Sequence, residues 1–131
     1  MDAEKLVERN SLKYEVNSEE PFTGRAVVYW PNGQKMMDGE YRDGKLHGKG
    51  SEWYENGQKQ AEAEFRDGKE HGKWSAWYKN GQKETEGEYR NGKPHGKWSF
   101  WYENGQKKGG GKVRDGVPVS WKKWDEHGNP K

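Results

Sequence analysis

Along this chain, short runs in which polar residues alternate with aromatic ones are cut at a fixed interval by glycine-containing turns. The dipeptide Asn32-Gly33 returns as Asn56-Gly57, Asn80-Gly81 and Asn104-Gly105, each 24 residues on, and once more as His127-Gly128 after 23. In counterphase stand Asp43-Gly44, Asp67-Gly68, Asn91-Gly92 and Asp115-Gly116. His47-Gly48, His71-Gly72 and His95-Gly96 follow them, and Thr23-Gly24 holds the equivalent place before the first unit. Runs such as Lys73–Tyr78 and Lys83–Arg90 are too short for helices and rich in aromatics, which predicts strands. A period of this length predicts a stacked array of hairpins.

Asn-Gly favours a two-residue type I′ turn, in which both central residues take positive φ, so a tight hairpin is expected at every Asn-Gly. Around Asn80-Gly81 that choice pairs Tyr78 with Lys83, Trp77 with Glu84, Ala76 with Thr85, Ser75 with Glu86, Trp74 with Gly87 and Lys73 with Glu88. The register sets bulk against its absence: Trp74 faces Gly87, Trp98 faces Gly111, Gly50 faces Ala63 and Ala26 faces Gly39. Opposite charges also meet, Arg25 with Glu40, Lys49 with Glu64 and Lys73 with Glu88, each pair contributing roughly a few tenths of a kcal/mol. Lys97 against Lys112 breaks the pattern in the last full unit, where a terminal repeat is expected to be atypical.

Because strand side chains alternate, one face of the third unit carries Trp74, Ala76, Tyr78, Thr85, Gly87 and Tyr89, while the other carries Lys73, Ser75, Trp77, Gln82, Glu84, Glu86 and Glu88. The first face is expected to be buried, with Trp30, Tyr54, Tyr78 and Tyr102 in one column and Tyr41, Phe65, Tyr89 and Val113 in another. The second face is polar except for a column of Tyr29, Trp53, Trp77, Trp101 and Trp124. Those rings either stabilise the ladder or, as aromatics on a face of Lys, Glu and Ser, form a partner-binding surface.

Composition tests whether such an array can fold. In 131 residues, Leu, Ile, Val and Phe number only 13, a content typical of disordered chains, and the mean hydropathy is −1.58. Against that stand 8 Trp, 7 Tyr and a net charge of only +2, so large amphipathic rings replace the missing aliphatics. Lys and Glu are interspersed, which argues against the segregated field of a nucleic-acid binder. There is no cysteine and no run of ten apolar residues; neither a disulfide, a membrane-spanning helix nor a signal peptide is read, and a soluble, cytoplasmic protein is expected rather than an exported one.

The three regularly spaced histidines suggest a metal site, but equivalent positions two strands apart lie about 10 Å from one another while zinc holds its ligands at about 2.1 Å. His47, His71 and His95 are therefore expected to pack over turns, and no metal or cofactor is assigned. Glu84, Glu86 and Glu88 share an open face without a desolvated cleft to separate their pKa values, and no Gly-x-Ser-x-Gly, Walker loop or cysteine nucleophile occurs. A non-enzyme is expected.

The segments Gly72 to Lys83 (Gly-Lys-Trp-Ser-Ala-Trp-Tyr-Lys-Asn-Gly-Gln-Lys) and Gly87 to Gly96 (Gly-Glu-Tyr-Arg-Asn-Gly-Lys-Pro-His-Gly) resemble the bacterial variant of the MORN repeat, and similar units occur in YwqK-type antitoxin proteins. The resemblance runs from the entry motif Pro21-Phe22-Thr23-Gly24 to Gly128. It implies an elongated, twisted, single-layer antiparallel sheet and a role in scaffolding, dimerisation or phospholipid contact, with no catalytic residue to carry over. The Trp-Tyr content is also similar to that of choline-binding and cell-wall-binding modules, although no Gly-Trp dipeptide occurs here.

The ends depart from the repeat. Leu12–Val16 alternates as a strand expected to pair with the first unit and cover its edge. Asp125 stands where Tyr78 and Tyr102 stand, and Pro118 and Pro130 discourage further pairing, so the C-terminus is expected to act as a cap. The fold class is all-β: a single-layer antiparallel meander or solenoid of tandem MORN-type hairpins. Residues 1–23 are assigned to an N-terminal cap strand and entry motif, 24–118 to four repeats, and 119–131 to a half repeat and cap. The expected role is protein binding, of antitoxin, immunity or scaffolding type, through a sheet face or edge. A glycan or a lipid surface is the alternative partner, homodimerisation is allowed, and nucleic acid is not expected.

Overall fold

The computed structural model describes residues 2, 5–9, 12–15 and 20–131. Strands β1 (Leu6–Arg9) and β2 (Leu12–Glu15) form a hairpin of their own. The remainder is one antiparallel sheet in strict chain order: β3 (Gly24–Tyr29), β4 (Lys35–Arg42), β5 (Lys45–Trp53), β6 (Lys59–Arg66), β7 (Lys69–Trp77), β8 (Lys83–Arg90), β9 (Lys93–Trp101), β10 (Lys107–Arg114) and β11 (Val117–Lys123). It is the single-layer meander that the repeat period predicts.

The tight turns expected at Asn-Gly fall elsewhere. Type I′ geometry falls at the counterphase dipeptides, where Asp43, Asp67, Asn91 and Asp115 take φ of 48–51° and each following glycine is also left-handed. Two residues therefore link Arg42 to Lys45, Arg66 to Lys69, Arg90 to Lys93 and Arg114 to Val117. At Asn80-Gly81 only the glycine has positive φ. Gly81 N–H donates to the Tyr78 carbonyl at 3.0 Å, and Tyr78 N–H donates to the Gln82 carbonyl at 2.8 Å. The loop is thus a longer type I turn closed by a left-handed glycine, and a bulge follows it.

That bulge rescues the register. Trp77 pairs with Lys83, one residue off the expected Glu84, but from Ala76 with Thr85 onwards every expected pair is present. Trp74 faces Gly87, Trp98 faces Gly111, and Lys97 faces Lys112. Glu84, at the bulge, leaves the row of Glu86 and Glu88; its charge acts on the Tyr54 and Tyr78 phenols. The odd strands also begin earlier than the aromatic pattern suggests. β5, β7 and β9 run straight through His-Gly, which forms a second bulge between Leu46 and Gly50 and at the equivalent points.

Successive units are tied by repeated hydrogen bonds as well as by the ladder. The side-chain amides of Asn32, Asn56, Asn80 and Asn104 donate to the carbonyls of Glu55, Lys79, Glu103 and Glu126, while each Oδ1 accepts the N–H two residues on. Tyr54, Tyr78 and Tyr102 donate their hydroxyls to the carbonyls of Trp77, Trp101 and Trp124 at 2.7–2.9 Å. Trp30 Nε1 does the same to Trp53. The tyrosine column is therefore a structural one, polar at its tip.

The N-terminal hairpin is not a further strand of the sheet. Lys13 N–H donates to the Gly44 carbonyl and Phe22 N–H to the Lys13 carbonyl, both at 2.7 Å, so β2 clips across the first type I′ turn. Leu12 Cβ fills the space above Gly44. Asp2 makes an isolated bridge with Val27, and Val16 lies outside the described residues. At the other end Asp125 Oδ1 accepts the N–H groups of His127 and Asn129 at 2.9 Å, which holds its carboxyl below the usual range.

Candidate binding faces

Both faces of a single sheet are surface. The buried apolar residues are Ala26, Ala63, Ala76, Trp98, Val113 and Phe22, and among the described residues no large side chain is wholly enclosed. The face read from sequence as a closed core is therefore an aromatic trough with one open side.

In its C-terminal half, Trp98 packs edge-on to Tyr89 at 5.3 Å between ring centres and tilted against Trp74 at 6.0 Å. Phe100 continues the row, stacked on Trp98 at 6.3 Å and tilted on Trp121 at 5.6 Å. Gly87 makes this possible, because a Cβ there would overlap the Trp98 ring. In the N-terminal half the bulk is lighter, and Met37, Tyr41, Leu46, Phe65, Glu70 and Trp74 line a groove. Met37 is 44% exposed and Trp121 39%. Burial beside Phe65 pushes the Glu70 carboxyl above its ordinary pKa, and burial with the Glu70 charge pushes the Tyr89 phenol up.

The opposite face carries the column of Tyr29, Trp53, Trp77, Trp101 and Trp124. Tyr29 is exposed and the four indoles are half-buried. They do not stack ring on ring. Lysines are interleaved instead: Lys35 and Lys59 each lie 5.7 Å from the Trp53 ring, Lys83 lies 5.5 Å from Trp77, and Lys107 lies 5.8 Å from Trp124. Each ammonium over a ring face is worth about 0.5–1 kcal/mol at a surface. Three of the same lysines also hold carboxylates, Lys35 on Asp38 at 3.3 Å, Lys59 on Glu62 at 2.6 Å and Lys83 on Glu86 at 3.2 Å. The Lys59 bond keeps the Glu62 carboxyl below its usual range against the opposing effect of burial.

Of the three repeat histidines, His71 hydrogen-bonds a turn, while the buried Nδ1 atoms of His47 and His95 have no hydrogen-bond partner among the described residues. His71 Nδ1 accepts the Asn91 N–H at 3.4 Å, and Thr23 Oγ1 receives the Asp43 N–H at 2.9 Å in the matching place. Glu86 and Glu88 lie on exposed surface without a cleft.

Comparison with known families agrees with this architecture. The MORN repeat model matches residues 38–59 and 62–73, and the MORN repeat variant model matches 70–91 and 94–109. Together they cover all but four residues of 38–109. The chain belongs to the MORN-repeat proteins. No curated protein matches it. MORN repeats are non-enzymatic modules associated with the binding of proteins or membrane lipids.

Sequence reasoning singled out the outward indoles and passed over the trough. The signal that finds it is the absence of a second amphipathic layer among the described residues: β3 to β11 are all used in one sheet, and the β1–β2 hairpin clips across the first tight turn.

Proposed function

We infer that this MORN-repeat chain binds a protein partner in the aromatic trough, with an apolar segment of the partner laid along Met37, Leu46, Phe65, Trp74 and Trp121. The observation that carries this reading is the row of aromatic rings on a face that no second layer covers among the described residues. A protein suits the trough better than acyl chains, because Glu52 and Glu70 line it and a carboxyl needs a hydrogen-bond donor when it is taken out of water. An antitoxin or immunity role, with the bound protein a toxin, is the form of this reading that the YwqK-type resemblance suggests; a scaffold would use the same trough. Glycan binding on the outward column is weaker, since sugars stack on the ring faces that Lys59 and Lys83 occupy.

The test uses a photocrosslinking residue at position 37 to capture the partner, followed by affinity measurement with the purified pair. Met37→Lys sets an ammonium opposite Glu52, which preserves the sheet, and is expected to weaken binding by about 30-fold, the scale of an interface hot spot. Trp77→Ala should change affinity less than about threefold. The reverse ranking moves the site to the column of Tyr29, Trp53, Trp77, Trp101 and Trp124.

A further inference from the structure

The outward face obeys a charge rule in its first three hairpins and departs from it in the fourth. At one row, Arg25 pairs with Glu40, Lys49 with Glu64 and Lys73 with Glu88, but Lys97 with Lys112. At the next row, Asp38, Glu62 and Glu86 give way to Gly110. Those three acids each hold the lysine three residues before them, in the pairs Lys35–Asp38, Lys59–Glu62 and Lys83–Glu86 at 2.6–3.3 Å. Lys107 has no acid at that spacing.

The last hairpin therefore brings together Lys97, Lys107, Lys112 and Lys122, all exposed and none in an ion pair among the described residues. Lys122 faces Gly110 across the final ladder, and Ser120 faces Lys112. The floor between the lysines is made of small residues, Ser99, Gly110 and Ser120. Gly110 cannot be exchanged for an acid, because a Cβ there would stand 2.7 Å from the Trp98 carbonyl oxygen. The Lys107 stem lies over it at 3.6 Å.

We propose that this lysine-ringed patch on β9, β10 and β11 binds an extended acidic polypeptide segment whose carboxylates, two residues apart, take the places that Asp38/Glu40, Glu62/Glu64 and Glu86/Glu88 occupy in the other units. Carboxylates at that spacing on an extended chain lie about 7 Å apart, the arrangement the sheet itself uses to neutralise these rows. The exposed apolar side chains of these strands beside the patch, Val117 and Val119 of β11, are small, and the patch presents no exposed ring for a nucleobase. Trp101 and Trp124 are half-buried, and Lys107 lies over Trp124. The site is on the face opposite the trough and does not depend on it.

A fluorescent peptide of alternating Glu and Thr, titrated by anisotropy at low and moderate salt, tests the proposal. Binding that weakens with salt is expected, because the contact is ionic. Lys112→Glu restores the charge pairing of the earlier hairpins, so its melting temperature should hold or rise while peptide affinity falls at least about tenfold, the effect of losing one close ion pair and gaining a repulsion. Lys79→Glu, the same charge change at a distant turn, should leave affinity within about twofold. Equal losses in the two variants, no peptide binding, or Lys112-dependent binding of polyuridylate or of phosphatidylserine vesicles in preference to the peptide would overturn it.

Discussion

Asn80 and Asn91 each precede a turn glycine, yet the fold asks opposite things of them. At Asn80 the side chain is a clamp: Nδ2 donates to the Glu103 carbonyl at 3.0 Å, and Oδ1 accepts the Gln82 N–H at 2.9 Å. At Asn91 it is the backbone that matters, with φ at 51° and the type I′ turn closed by Gly92. Asn80→Gly deletes two hydrogen bonds worth about 0.5–1.5 kcal/mol each and adds about 0.5 kcal/mol of chain entropy, a loss of roughly 2 kcal/mol. Asn91→Gly exchanges mild left-handed strain for that same entropy, so its effect should lie within about 0.5 kcal/mol of zero. Asn80→Asp keeps the acceptor and loses the donor, and should cost about 1 kcal/mol. Urea unfolding followed by tryptophan fluorescence measures all three. If Asn80→Gly proved as harmless as Asn91→Gly, the side-chain clamp between units would not be what holds this turn.

Two further outcomes follow from the packing. Trp98→Ala removes a ring only 6% exposed that touches Trp74, Tyr89 and Phe100, and should cost about 3–5 kcal/mol, whereas Trp77→Ala should cost about 1 kcal/mol; thermal unfolding ranks them. The Glu70 carboxyl has a raised folded pKa, so its stabilising contribution is complete below the ordinary carboxylate range and is lost as pH rises through the raised value. Glu70→Gln should therefore raise the melting temperature near pH 7 and leave it almost unchanged at about pH 3; equal effects at both would assign the change to packing instead.

Within the repeats, strand order and most of the register were legible in the sequence, because a 24-residue period with small residues set opposite Trp74 and Trp98 admits few alignments. The same pattern separated Tyr78 from Trp77 by face. What the sequence did not decide was which dipeptide makes the tight turn. Asn-Gly and Asp-Gly both tolerate left-handed backbone, and only stacking shows that Asn80 is needed for the neighbouring unit's carbonyl while Asp43, Asp67, Asn91 and Asp115 carry the positive φ. The compensating bulge at Glu84 is equally invisible along the chain, since it is a property of the pair of strands. The broken pair Lys97–Lys112 was visible, but its meaning required Lys107 and Lys122 to arrive beside it from two other places in the chain. The openness of the aromatic trough was likewise a tertiary outcome. Alternation assigns a residue to a face, whereas exposure depends on whether anything packs over that face, and in this single-layer sheet Met37 and Trp121 remain open to solvent.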